Sequence, residues 1–160
     1  MPDDVLAAFA AEALYAPEAW FVHRVLSLDP EAGVLVAEMD TTALPLVPAQ
    51  RVVPGHPQHL PAAVAVQATG TLGQIYAVTA LGLRVSEGWV GYGTHIEQAR
   101  WGRMGEIGPP IRLTTTLTRQ RTMMGTRFAW FDFLFEQHGQ WVYRSRQAAA
   151  WRRVTEDAPA

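Results

Sequence analysis

Apolar and polar positions change their period partway along the chain. Val5, Leu6, Phe9 and Leu14 recur at helical spacing behind Asp3 and Asp4, which predicts a short helix within residues 1–14. Ala19 to Asp29 (AWFVHRVLSLD) reads as a strand, Asp29 to Gly33 as a Pro/Gly turn, and Val34 to Asp40 as a second strand. The two strands predict a hairpin. Thr41 to His59 carries four Pro and one Gly and reads as a loop. It leads into an apolar stretch from Leu60 to about Leu81, predicted as a helix that stops at Gly82. Beyond it the period becomes two. Trp89–Trp101, Ile111–Thr122, Arg127–Glu136 and Trp141–Arg152 read as antiparallel strands, and residues 154–160 read as a frayed tail. This order is α+β, and 160 residues argue for one domain.

The central helix changes the picture most. No Asp, Glu, Lys or Arg occurs between Arg51 and Arg84. A bilayer span of that length would suit the apolar content, but Pro54, Pro57, Pro61, Gln67 and Gln74 argue against one. The expected state is a helix enclosed on nearly all sides. One curved antiparallel sheet wrapped around it leaves a sheet edge and part of the helix uncovered, so a partner subunit is expected.

Charged residues are 18% of the chain, fewer than in most soluble domains, and hydrophobic residues are 49%. Disorder and a nucleic-acid-wrapping role are excluded by that balance. With no cysteine, disulfides, thiolate catalysis and Cys-bound zinc are excluded as well. The opening Met-Pro-Asp-Asp lacks the basic start of a signal peptide, so a cytoplasmic location is expected. Residues 1–50 hold one Arg against eight acids, whereas residues 100–153 hold ten Arg against three. The basic half could attract an anionic ligand, or its Arg residues could simply alternate along the solvated face of a sheet.

Several short motifs, in order, resemble the hotdog fold, in which a sheet wraps a central helix and dimers pair their sheets. Residues 15–26 (YAPEAWFVHRVL) resemble the opening strand of β-hydroxyacyl-ACP dehydratases, with His23 where those proteins usually have Asp. Pro54-Gly55-His56-Pro57 with Leu60-Pro61 resembles their Gly-His loop and the Pro before the central helix, and the loop is about three residues shorter here. Ala99-Arg100-Trp101 through Gly105 and Pro109 resembles a later strand and turn. With Pro61 placed on the family's Pro, the position of the catalytic acid falls on Gln67. An amide can neither remove nor deliver a proton, which weakens dehydratase chemistry. The same segment resembles hotdog acyl-CoA thioesterases that work with Gln, Asn or Thr on the helix.

The resemblance therefore implies acyl-CoA or acyl-ACP thioester hydrolysis, without cofactor or metal, by a homodimer or higher oligomer. Gln67 and Thr71 would hold the attacking water and His56 would assist. Gly55, His59, Leu60, Ala63, Val64 and Arg100 would bind substrate, with backbone N–H groups near Ala62 to Val64 serving the carbonyl oxygen. The alternatives are a 3-hydroxyacyl-thioester dehydratase with an acid recruited from elsewhere, such as Glu97, and a non-catalytic subunit that binds acyl carriers.

The residues support this in part. Gln67, Thr71 and Gln74 share one narrow helical stripe, which must be satisfied by protein backbone, by a dimer partner or by ligand. Gln74 is expected to be structural. His56 and His59 are spaced like metal ligands but lack a third, so no metal is expected. Arg100, Arg103, Arg119 and Arg121 suit the phosphates of a carrier. The six Trp residues are expected mostly in core or interface, one or two lining an acyl tunnel.

Overall fold

The computed structural model describes residues 2–154. It contains helix α1 (Pro2–Ala10), strands β1 (Arg24–Asp29) and β2 (Val34–Met39), and helix α2 (Ala62–Thr79). Strands β3 (Trp89–Trp101), β4 (Ile111–Met123), β5 (Thr126–Gln137) and β6 (Gln140–Arg153) follow. All six strands form one antiparallel sheet in the order β1-β2-β4-β5-β6-β3. The chain therefore makes its first hairpin, inserts α2, lays β3 at the far edge, and fills the middle of the sheet last.

Alternation builds the inner face. In β5, Ala129, Phe131, Phe133 and Phe135 are buried while their neighbours are half-buried on the other side. Phe135 pairs with Tyr143 and Phe133 with Ser145 of β6, so the inner rows of the two strands coincide. Onto this face packs α2, with Val64, Ala68, Leu72 and Ile75 fully enclosed and Tyr76 set edge-on against Phe131 at 5.8 Å. Each fully enclosed large side chain contributes about 1.5–3 kcal/mol by leaving water. This is the sheet wrapped around a helix that the hotdog resemblance implies.

The helix ends at Thr79, about two residues before the expected Leu81, and Gly82 supplies the expected stop. Ala80 and Leu81 N–H both donate to Tyr76 O, Leu83 N–H donates to Ala77 O, and Gly82 adopts φ +67. That left-handed residue turns the chain out of the helix at no steric cost. No helix among the described residues is long and apolar enough to cross a membrane.

Two boundaries near the N-terminus differ from expectation. The first helix stops at Ala10 rather than reaching residue 14, leaving Leu14 and Tyr15 exposed. The first strand begins at Arg24, not Ala19. Pro17–Ala19 instead form a 3-10 turn, with Ala19 N–H donating to Ala16 O and Trp20 N–H to Pro17 O. Phe21 then takes φ +56, a left-handed conformation incompatible with a strand. The expected tail falls largely on residues 155–160, outside the described residues; Val154 N–H donates to Gly88 O.

The helix is less completely enclosed than its composition suggests. Ala63 and Gly70 are exposed, and Val66, Gln67 and Gln74 are half-buried, tracing one open stripe along α2. β3, the edge strand, is exposed over most of its length, including Tyr92, Ile96 and Trp101.

Candidate active site

A cavity of about 510 Å³ lies along the open stripe of α2, between that helix and strands β3, β5 and β6. Phe131, Phe133 and Ala149 of the inner face line it, and Trp20 flanks it from the N-terminal segment. No Asp, Glu, His, Lys or Arg contributes to the lining. It is an apolar chamber whose polar groups are chiefly amides and hydroxyls, the composition of a small-molecule site.

Gln67 reaches this cavity, and the N-terminal segment orients it. Trp20 packs on Phe9 at 5.0 Å between ring centroids, and its Nε1 donates to Tyr15 O at 2.7 Å. Held so, the adjoining turn presents Ala19 O to Gln67 Nε2 at 3.3 Å. A carbonyl oxygen can only accept, so the nitrogen is the anchored end of the amide. Gln67 Oε1 has no donor among the described residues. Thr71, one turn on, also lines the cavity and donates its hydroxyl to Gln67 O at 3.4 Å.

Gln74 repeats the arrangement two turns along, its Nε2 donating to Gly91 O at 3.5 Å. Gln147, from β6, makes a third anchored amide. Thr69 commits its hydroxyl hydrogen to Val66 O at 2.6 Å, so Thr69 Oγ1 accepts from Gln147 Nε2 at 2.9 Å. Ser145 Oγ is a second acceptor for that nitrogen at 2.9 Å. Three amides thus tie their nitrogens to protein, and no protein donor meets their oxygens among the described residues. The sequence left Gln67 open between backbone satisfaction and ligand binding and expected Gln74 to be structural; in the structure the nitrogen of each bonds to a backbone carbonyl.

Trp151 also lines the cavity and is 1% exposed, and its buried Nε1 has no acceptor. Neither Gln147 nor Trp151 stood out as a functional candidate from the sequence. Their inward position in an alternating strand was a readable signal, but an unmet hydrogen bond was not.

The other candidates lie elsewhere. Gly55, at φ +78, and His56 are exposed in a tight turn closed by His56 N–H donating to Val53 O. The His56 and His59 rings meet edge-on at 4.9 Å. His59 is pinned by Gln50, which accepts its N–H at 3.0 Å and donates to its carbonyl at 2.7 Å. Leu60 is buried and bonded to Gly105 O, while Ala63 is exposed at the start of α2. Val64 is fully buried, with its N–H donating to Pro61 O. Arg100 is exposed on β3 opposite Arg144. None of these seven residues lines the cavity that holds Gln67 and Thr71. Among the described residues, no group of three His, Cys, Asp or Glu is placed to hold a metal ion.

The antiparallel sheet, the embedded α2 and its position between the second and third strands define a hotdog fold, and many solved structures share it. One is a mutant thioesterase from Pseudomonas aeruginosa, with a TM-score of 0.62 and 16% identity over 94% of this chain and 95% of that one. Another is a Haemophilus influenzae thioesterase, with a TM-score of 0.62 and 15% identity over 97% and 94%. A dehydratase heterocomplex from Xenorhabdus doucetiae is comparably similar, with a TM-score of 0.60 and 12% identity over 98% and 93%. No family model and no curated protein sequence matches the chain. At these identities the likeness is one of fold.

Proposed function

We propose that the protein hydrolyses an acyl thioester, carried by CoA or an acyl carrier protein, in the cavity beside Gln67. The observation that carries this reading is the orientation of Gln67. Its nitrogen is held by Ala19 O, which leaves the oxygen of this cavity-lining residue as an acceptor for a water hydrogen. A positioned water needs no carboxylate to be aimed at a carbonyl carbon. Its oxygen bonds to that carbon, the C–S bond breaks, and the departing sulfur takes up a proton, giving a carboxylic acid and a thiol. β-Elimination would require both a base and an acid at the acyl chain, and the cavity wall offers no carboxylate to work beside a histidine.

The working unit in this reading is a homodimer joined through β3. That strand is the exposed end of the sheet and carries Tyr92, Ile96 and Trp101 about half in solvent. An edge of this length calls for pairing. A second copy would also cover the open stripe of α2. In this arrangement the exposed Gly55–His56 turn and Ala63, on the first turn of α2, meet the substrate across the interface. His56 then receives and returns the water's proton, and Arg100 contacts the carrier's phosphates.

The test is thiol release from a series of acyl-CoAs by the purified protein and by Gln67→Ala. Release by the natural protein that falls with the substitution supports the reading. Binding of acyl-CoA without release, or release unaffected by Gln67→Ala, overturns it.

A further inference from the structure

We infer that the acyl group this cavity accepts carries a hydroxyl at its far end, read by Gln74 and Trp151. The inference rests on the thioesterase reading for the placement of the thioester at Gln67, and it goes on to the identity of the acyl chain.

Gln67 and Gln74 lie on the same stripe of α2 and both line the cavity. Seven residues of α-helix separate them by about 10 Å. An acyl chain that starts at Gln67 and follows the helix reaches Gln74 at the other end. There it meets two unmet groups of opposite kind. Gln74 Nε2 is directed at Gly91 O, so Gln74 Oε1 is an acceptor with no donor among the described residues. Trp151 Nε1–H is a donor with no acceptor, enclosed beside the same Gly91.

Each candidate chain end can be compared with this pair. An alkyl terminus leaves the donor and the acceptor unmet in an apolar chamber, which is unfavourable for both. A carboxylate has no hydrogen for Gln74 Oε1 and brings an unpaired charge into a wall without cations. An ammonium has no lone pair for Trp151. A keto oxygen answers Trp151 alone. A hydroxyl donates to Gln74 Oε1 and accepts from Trp151 Nε1 at once.

The experiment compares binding of octanoate and omega-hydroxyoctanoate, read by calorimetry, with hydrolysis of the two CoA esters measured separately. The expected result is binding of the hydroxy acid tighter by on the order of tenfold, with the ratio collapsing toward one in Gln74→Leu. Circular dichroism checks that the variant folds, and Gln74→Met serves if Gln74→Leu does not. Equal binding of the two acids by the natural protein, or a preference that survives loss of the Gln74 amide, overturns the inference. Failure to hydrolyse either ester counts against the thioesterase reading alone, because the binding ratio is read without turnover.

Discussion

Gly91 stands directly opposite Trp151 in the β3–β6 ladder, and a Cβ at Gly91 would lie 2.1 Å from Trp151 Nε1. The indole therefore lies flat across the neighbouring strand, in space only glycine leaves. Gly91→Ala should force the indole out of its place and cost about 1–3 kcal/mol of stability. Gly93→Ala is the matched control, since a Cβ there meets nothing within 4 Å. Urea denaturation of both variants checks the contrast, and equal stability would show that Trp151 can give way.

Gln67→Ala should reduce thioester hydrolysis by on the order of a hundredfold, the usual consequence of misplacing a reacting group. Gln67→Glu is a sharper probe. It retains an acceptor oxygen but loses the N–H that Ala19 O receives, so two acceptors are set against each other at 3.3 Å. Its activity should depend on pH where that of the natural protein at this position does not, as shown by a rate profile for thiol release.

Ile96→Arg places a charge in the exposed middle of β3. If β3 joins two copies, the substitution sets like charges face to face and should shift the protein from dimer to monomer. Light scattering after size exclusion reads the mass. Hydrolysis should fall with the dimer fraction.

Protonation of His23 should loosen the start of β1. Asp40 N–H donates to His23 Nδ1 at 3.0 Å, which requires that nitrogen to be unprotonated. The imidazole is exposed on one side, but desolvation on the other lowers its pKa below the ordinary 6.5, and the Asp40 charge only partly opposes this. The unfolded chain takes the proton first, so stability from this site is present above 6.5 and declines as pH falls below it. Asp40 acts in a lower window. Hydrogen bonds from Thr42 hold its carboxyl below the ordinary 3.8, so its contribution persists until pH falls past that region. His23→Asn keeps an acceptor without titrating there. It should flatten the change in melting temperature between about pH 5 and 7, the range set by an ordinary histidine.

Much of the fold was legible because its elements obey single periods. The charge-free stretch between Arg51 and Arg84 foretold a helix inside the protein, and alternation after Trp89 foretold the long strands. Ala19 to His23 misled because Ala-Trp-Phe-Val has strand composition, while its conformation is set by Trp20 lodging against Phe9. Propensity loses to such a contact. Gln67 was singled out through resemblance, and it lines the cavity. Gly91, by contrast, makes room for the Trp151 indole, and Gly93 leaves space at the cavity, by lacking side chains, and absence has no hydropathy period. Trp151 read as core, which it is; that its N–H lacks an acceptor depends on distances no pattern contains.

The hydrogen bond from Gln67 to Ala19 O has a practical consequence at the other end of the molecule. The group proposed to aim the water is steadied by a turn that precedes the sheet altogether. Changes that loosen that turn, whether deletion up to Ala16 or a bulky fusion partner on the leading helix, should silence turnover while the wrapped helix and strands still melt as one body. For this protein, the choice of expression tag is an experimental variable.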